Sequence, residues 1–243
     1  MQLESIKKAI REWGILRQSE KASTDFLGQG SLFHIDVKKV LKVSPRIDPI
    51  VPTYVHAYLG VHEGKLLFFL MNNIMDSESE FGKEGERIED FIIVEEAKYM
   101  DQDLFGPFIT TSQSRYFNST DAIPSNEAIT RIIHWSVLKD KWINSAITTP
   151  NGLFEAFVIP STDLEKETEV FALFGLKKKK LYHYPEAELI IWNETNGFLL
   201  SNSEVESSFD DIVRPVPPFG QGTIAPQNFH LMQVSELSRN VAP

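Results

Sequence analysis

The chain has 243 residues, no cysteine and a formal net charge of −10, with a pI near 5.1. Without thiols it cannot form a disulfide scaffold, a thiolate zinc site, an iron–sulfur cluster or a cysteine nucleophile. Its acidity argues against nucleic acid as a main partner, because diffuse phosphate binding needs a basic field, whereas its seventeen Phe, six Tyr and four Trp supply a core and exclude a wholly disordered chain.

Met1 to Arg17 mixes Glu4, Lys7, Lys8, Arg11 and Glu12 among its apolar residues, which is not the pattern of a secretory leader. The longest apolar runs, such as Leu66–Met71, fall short of a membrane span. The expectation is a soluble, cytoplasmic protein.

Ile6, Ile10, Trp13 and Leu16 recur at helical spacing and predict an amphipathic helix over 3–17. Residues 18–30 read as a polar segment closing on a Gly28-Gln29-Gly30-Ser31 turn. Leu32–Val43 reads as a short strand, and Pro45, Pro49 and Pro52 break the next stretch into extended chain. Tyr54–Val61 and Lys65–Asn72, joined through Glu63-Gly64, form the clearest hairpin in the chain. Asp76 to Glu89 reads as a solvated acidic loop, Phe91–Glu96 as a strand and Phe108–Thr111 as another.

Ser125 is placed to cap a second helix after Pro124, with Glu127 favourably set against the helix dipole. Its apolar residues (Ile129, Ile132, Ile133, Trp135, Leu138, Trp142, Ile143) spread widely around the helix and predict deeper burial than the first. Strands are expected at Leu153–Ile159, Val170–Leu176, Leu189–Asn193 and Phe198–Ser201. Arg214–Pro226, rich in Pro and Gly, reads as an irregular arm or linker, and Phe229–Leu237 as a strand or helix. Helix, strands, helix, strands is the pattern of an α+β fold with mainly antiparallel sheet and two principal amphipathic helices.

Two segments resemble one another without gaps. Val55–Leu66 lies over Val170–Leu181 at an offset of 115, with five identities in twelve positions. The two helices match at a similar offset once one gap is allowed. The pattern fits two similar helix-plus-sheet halves, residues 1–123 and 124–243, the second carrying the Pro/Gly-rich arm. Any hairpin also resembles any other, so duplication stands as an expectation.

Catalytic and metal motifs are weak throughout. His56 and His62 would lie about 20 Å apart on one strand, and neither they nor His34, His134, His183 and His230 have HExxH spacing. Gly28-x-Gly30 lacks a third glycine, with Phe33 in its place. Asp76-x-Glu78-x-Glu80 lacks the glycine and closing glutamate of a calcium loop, with Phe81 and Arg87 at those places. GxSxG and Walker A sequences are absent. No metal or cofactor is expected.

The singular feature is Lys177-Lys178-Lys179-Lys180, a basic run at a predicted hairpin turn of an acidic chain, with Tyr182, His183 and Tyr184 beside it. Lysines with tyrosines next to them suit contact with an acidic partner, or with phosphate. Solvation of a turn that keeps an edge from pairing is the plainer alternative. Together these features favour a non-enzymatic intracellular protein-binding or adaptor module. The rival reading is a hydrolase with a His/carboxylate site in a cleft between the two halves.

Overall fold

The computed structural model describes residues 1–47, 50–81, 83, 85, 87–99, 123–166, 169–178, 185–194, 207–216 and 228–237. It is an α+β fold. Helices α1 (Leu3–Leu16) and α2 (Glu20–Leu27) precede strand β1 (Leu32–Ile35) and the one-turn α3 (Val37–Val40). Strands β2 (Tyr54–His62), β3 (Lys65–Asn72) and β4 (Ile93–Glu96) come next, then α4 (Ser125–Ile147). Strands β5 (Ala156–Pro160), β6 (Glu169–Lys177), β7 (Glu186–Glu194) and β8 (Ser207–Val216) lead to α5 (His230–Leu237).

All ladders are antiparallel. Three strands, β1-β6-β7, meet five, β8-β5-β2-β3-β4, along the β7–β8 ladder. The sheet then curls back on itself, for a single bridge from Leu32 to Lys98 joins the first strand to the end of the last. Strands from the two sequence halves interleave: β1 pairs with β6, and β5 with β2.

Strand alternation explains the core. One face gathers Phe33, Val55, Ala57, Leu59, Phe68, Phe157, Ala172, Phe174 and Leu189 into a single inner cluster. On the outer face, Tyr58, Phe69, Met71 and Val158 meet Ile6, Ala9 and Ile10 of α1 and Leu231 and Met232 of α5. A second outer cluster sets Leu173, Ile190 and Trp192 beneath Ala128 and Ile132 of α4. Both faces of β2 and β6 are therefore covered.

Helices α1 and α4 each lie over a strand glycine. A Cβ on Gly60 would lie 2.9 Å from the Ala9 carbonyl carbon and 2.5 Å from the Phe69 ring. On Gly175 it would lie 3.4 Å from Arg131 Cβ of α4 and 2.8 Å from Ile190. These two glycines occupy matching positions in the resemblance at offset 115. The match extends to the ladders: Phe33 faces Ala172 and Ile35 faces Val170, while Phe157 faces Ala57 and Ile159 faces Val55. Val55 is opposite Asn72, and Val170 opposite Asn193. Each asparagine ties down the segment that follows β1 or β5, Asn72 donating to Val40 O at 2.9 Å and Asn193 to Asp163 O at 2.9 Å.

Several elements differ from expectation for local reasons. Residues 20–27 form a helix, capped by Ser19, whose hydroxyl accepts the Ala22 N–H at 3.4 Å. It is too short and too polar to show a period. The strand expected over 32–43 stops at Ile35, because Asp36 caps α3 by accepting the Lys39 N–H at 3.1 Å. Ser125 is the first helical residue and Pro124 occupies the cap position. Arg214–Val216, read as the start of an irregular arm, belongs to β8. Pro215 fits there because Leu59 N–H donates to Glu155 O, which turns the Phe157 backbone toward β2 and leaves Ala156 and Val158 to bond β8. The missing N–H of Pro215 thus faces away from β5, past the last β7 pair at Val213. The strands expected at 108–111 and 198–201 lie outside the described residues.

Gly60→Ala should destabilise the fold by about 2–3 kcal/mol, because a backbone and a buried ring oppose the added methyl. Gly175→Ala should cost less, since the closest neighbour is the end of the Ile190 side chain. Urea denaturation of both variants measures the difference.

Candidate functional site

Asp76, expected in a solvated loop, is buried at 2% exposure. One of its carboxylate oxygens receives the Tyr58 hydroxyl and contacts His56 Nδ1 at 2.6 Å. The other accepts the Leu231 N–H at 2.8 Å, within the first turn of α5. β2 supplies His56 and Tyr58, the chain just past β3 supplies Asp76, and Phe229 closes over them. Its ring stacks on His56 with centroids 4.5 Å apart and meets Tyr58 edge-on. Burial, then the Asp76 charge and its hydrogen bond, push the Tyr58 hydroxyl well above the ordinary phenol pKa of 10.0.

A histidine bonded to a carboxylate is half of a hydrolytic constellation. Here the geometry directs it elsewhere. His56 is 2% exposed and roofed by Phe229. Asp76 serves instead as an acceptor for α5, satisfying one of the orphan N–H groups of a helix N-terminus. The cluster fastens the C-terminal helix to the outer face of the sheet.

The second pair, His34 Nε2 and Glu169 at 2.9 Å, sits across the β1–β6 edge with side chains 35% and 59% exposed. His34 also meets Phe171 edge-on. His62 lies 3.8 Å from Glu63 at the hairpin turn, and His230 packs edge-on against Phe81. His183 lies outside the described residues. Among the described residues, no three His, Asp or Glu side chains converge as a metal site.

Of the basic run, Lys177 closes β6 opposite Glu186, and Lys178 is exposed just beyond the strand. Lys179, Lys180, Tyr182 and Tyr184 lie outside the described residues. Elsewhere, a crevice of about 140 Å³ opens between α1 and α5, lined by Arg11, Arg17, Glu155 and Glu236 among others. Small-molecule sites usually measure about 300–1,000 Å³. Arg17 is committed there to Glu155 and the Leu153 carbonyl.

Sequence reasoning missed the His56–Tyr58–Asp76 cluster. The i,i+2 spacing of His56 and Tyr58 on a strand was a usable signal, since it places both on one face. Nothing local brought Asp76 to them. Among the described residues, no helix is long and apolar enough to cross a membrane. Compared with family models, curated proteins and solved structures, the chain matches none.

The raised Tyr58 pKa has a definite sign. The folded state holds the phenolic proton after the unfolded chain releases it, so stability is retained below about pH 10 and falls as pH rises further. Tyr58→Phe should lower stability at neutral pH by about 1–3 kcal/mol, by removing a buried hydrogen bond. It should also flatten the alkaline decline. Denaturant titrations of both proteins at neutral and alkaline pH would expose an unchanged slope if Tyr58 were not responsible.

Proposed function

We propose that this protein is a non-enzymatic, intracellular protein-binding or adaptor module. The observation that carries the reading is the closure of the His56–Asp76 pair. The rival hydrolase needs a histidine and a carboxylate open to substrate, whereas Phe229 covers this histidine and Tyr58 and Leu231 engage its carboxylate. His34–Glu169 lies across the exposed edge of a sheet rather than in a cleft. The halves of the chain meet through hydrogen-bonded strands at β1–β6 and β5–β2, where a cleft between halves would have to lie.

The end of the β6–β7 hairpin is the contact proposed for an acidic protein partner. Lys178 is exposed there, at the beginning of Lys177–Lys180 and close in sequence to Tyr182 and Tyr184. A compact cluster of lysines in a chain of net charge −10 stands out electrostatically and orients an approaching acidic surface. The matched ladders and glycines also support reading the chain as two copies of one helix-plus-sheet unit that have exchanged their first strands.

A quantitative pull-down from native lysate tests the contact, comparing wild type with a folded variant carrying glutamate at 177–180. A near-stoichiometric partner lost on charge reversal is the expected result. A partner held equally by both proteins would move the interface elsewhere, and hydrolysis of a model ester or peptide abolished by His56→Ala would overturn the non-enzymatic reading.

A further inference from the structure

Helix α1 carries a glycine that its packing does not require. A Cβ on Gly14 would meet nothing within 4 Å, whereas neighbours oppose one on Gly60 and Gly175. The backbone at Gly14 is ordinary helix with no positive φ, so it makes no use of a glycine's freedom. Alanine is the better helix former, and glycine weakens the helix at this position. What glycine leaves there is space.

That space belongs to the crevice of about 140 Å³ between α1 and α5. Gly14 is the centre of one wall, since Ile10, Arg11, Arg17 and Gln18 lie three and four positions to either side of it and share its helix face. Met232, Ser235 and Glu236 form the α5 wall at the same spacing. A methyl group at position 14 would project into the gap between them.

The charges around the crevice cancel, Arg11 and Arg17 against Glu155 and Glu236. Arg17 and Glu155 are bonded to each other. Arg11, half-buried on α1, and Glu236, exposed on α5, stand on opposite walls, and neither has an ion pair among the described residues. A cation and an anion held apart across a gap match a ligand that carries both signs. Phosphate would meet two carboxylates there as well as two guanidinium groups. Ile10 and Met232, both buried, add an apolar surface for a short aliphatic group. An apolar cavity of about 150 Å³ holds benzene, so this crevice has room for about six to eight non-hydrogen atoms. A nucleotide or a sugar is too large for it.

We propose that the α1–α5 crevice binds a small zwitterion, a free amino acid of about alanine's size. Its carboxylate lies on Arg11, whose planar guanidinium takes a carboxylate through two parallel hydrogen bonds. Its ammonium lies on Glu236, and its side chain turns toward Ile10 and Met232. Both charges are near solvent and few atoms make contact, so the dissociation constant is about 1 mM. The inference goes beyond the protein-binding reading and does not depend on it.

The probe is L-alanine, titrated into the isotope-labelled full chain and followed by amide NMR shifts. Shifts should concentrate at residues 10–18 and 232–236 and should saturate. Acetate and methylammonium each carry half of the charge pattern and should bind about tenfold more weakly. Gly14→Ala should raise thermal stability, because the methyl has room, and should weaken alanine binding by about tenfold or more as it fills the crevice. Gain of stability with loss of binding is an outcome that general damage to the fold would not produce. Arg11→Gln and Glu236→Gln should each weaken binding by about the same factor.

Absence of saturable shifts overturns the inference. So does binding that Gly14→Ala leaves unchanged, which would place the ligand elsewhere. Acetate as good as alanine, with Glu236→Gln indifferent, would reduce the site to a simple anion contact and overturn it equally. Should Gly14→Ala lower stability, the two charge variants decide alone. A pull-down that yields no lysine-dependent partner leaves each of these outcomes unchanged.

Discussion

Everything in this fold is arranged around two strands that are buried on both faces. β2 and β6 present small or apolar residues inward and must also be covered outside, which a helix achieves only by close approach. Gly60 permits that approach, because a side chain there would meet the α1 backbone, and at Gly175 a side chain would press on Ile190 beneath α4. The height of α1 and α4 over the sheet is set there. It also fixes where the helix ends fall. Trp13 and Trp135 lie one turn beyond the contacts, and both reach the inner cluster. Trp13 donates from its indole to Phe154 O at 3.0 Å.

Such tight coverage leaves buried polar groups that must be satisfied within the fold, since an unpaired one is costly. Arg131 of α4 bonds Glu188 on β7 at 3.0 and 3.1 Å and also engages Glu127. Asn72 and Asn193 tie irregular chain to the ends of their hairpins. His56, Tyr58 and Asp76 do the same for α5. A network of this kind contributes modestly to net stability, but it disfavours alternative packings in which one member would lose its partner.

The interior so built is occupied by aromatic and branched side chains, and its polar clusters point inward to structural duties. Outside, Lys178 is exposed just beyond β6, and among the described residues a single bridge joins β1 to the chain after β4. The β5–β8 joint, by contrast, pairs over three residues.

The sequence by itself determined the class of fold, the first hairpin, the two long helices and most strands. Each of these rests on short-range periodicity, which apolar side chains impose on any chain that must bury one face. The matching glycines were legible too, as an ungapped resemblance between 55–66 and 170–181. Short elements escaped: α2 and α3 owe their existence to single caps at Ser19 and Asp36, and β8 passes through a proline that only its ladder partners make tolerable. Only the tertiary structure decided that strands from the two parts of the chain interleave and that Asp76 leaves an acidic segment to lie beneath Phe229. Those facts depend on partners 20 to 155 positions away, such as His56 and Leu231 for Asp76. No local pattern encodes such a distance, because the hydrogen bonds that create it form only once the strands have found their register.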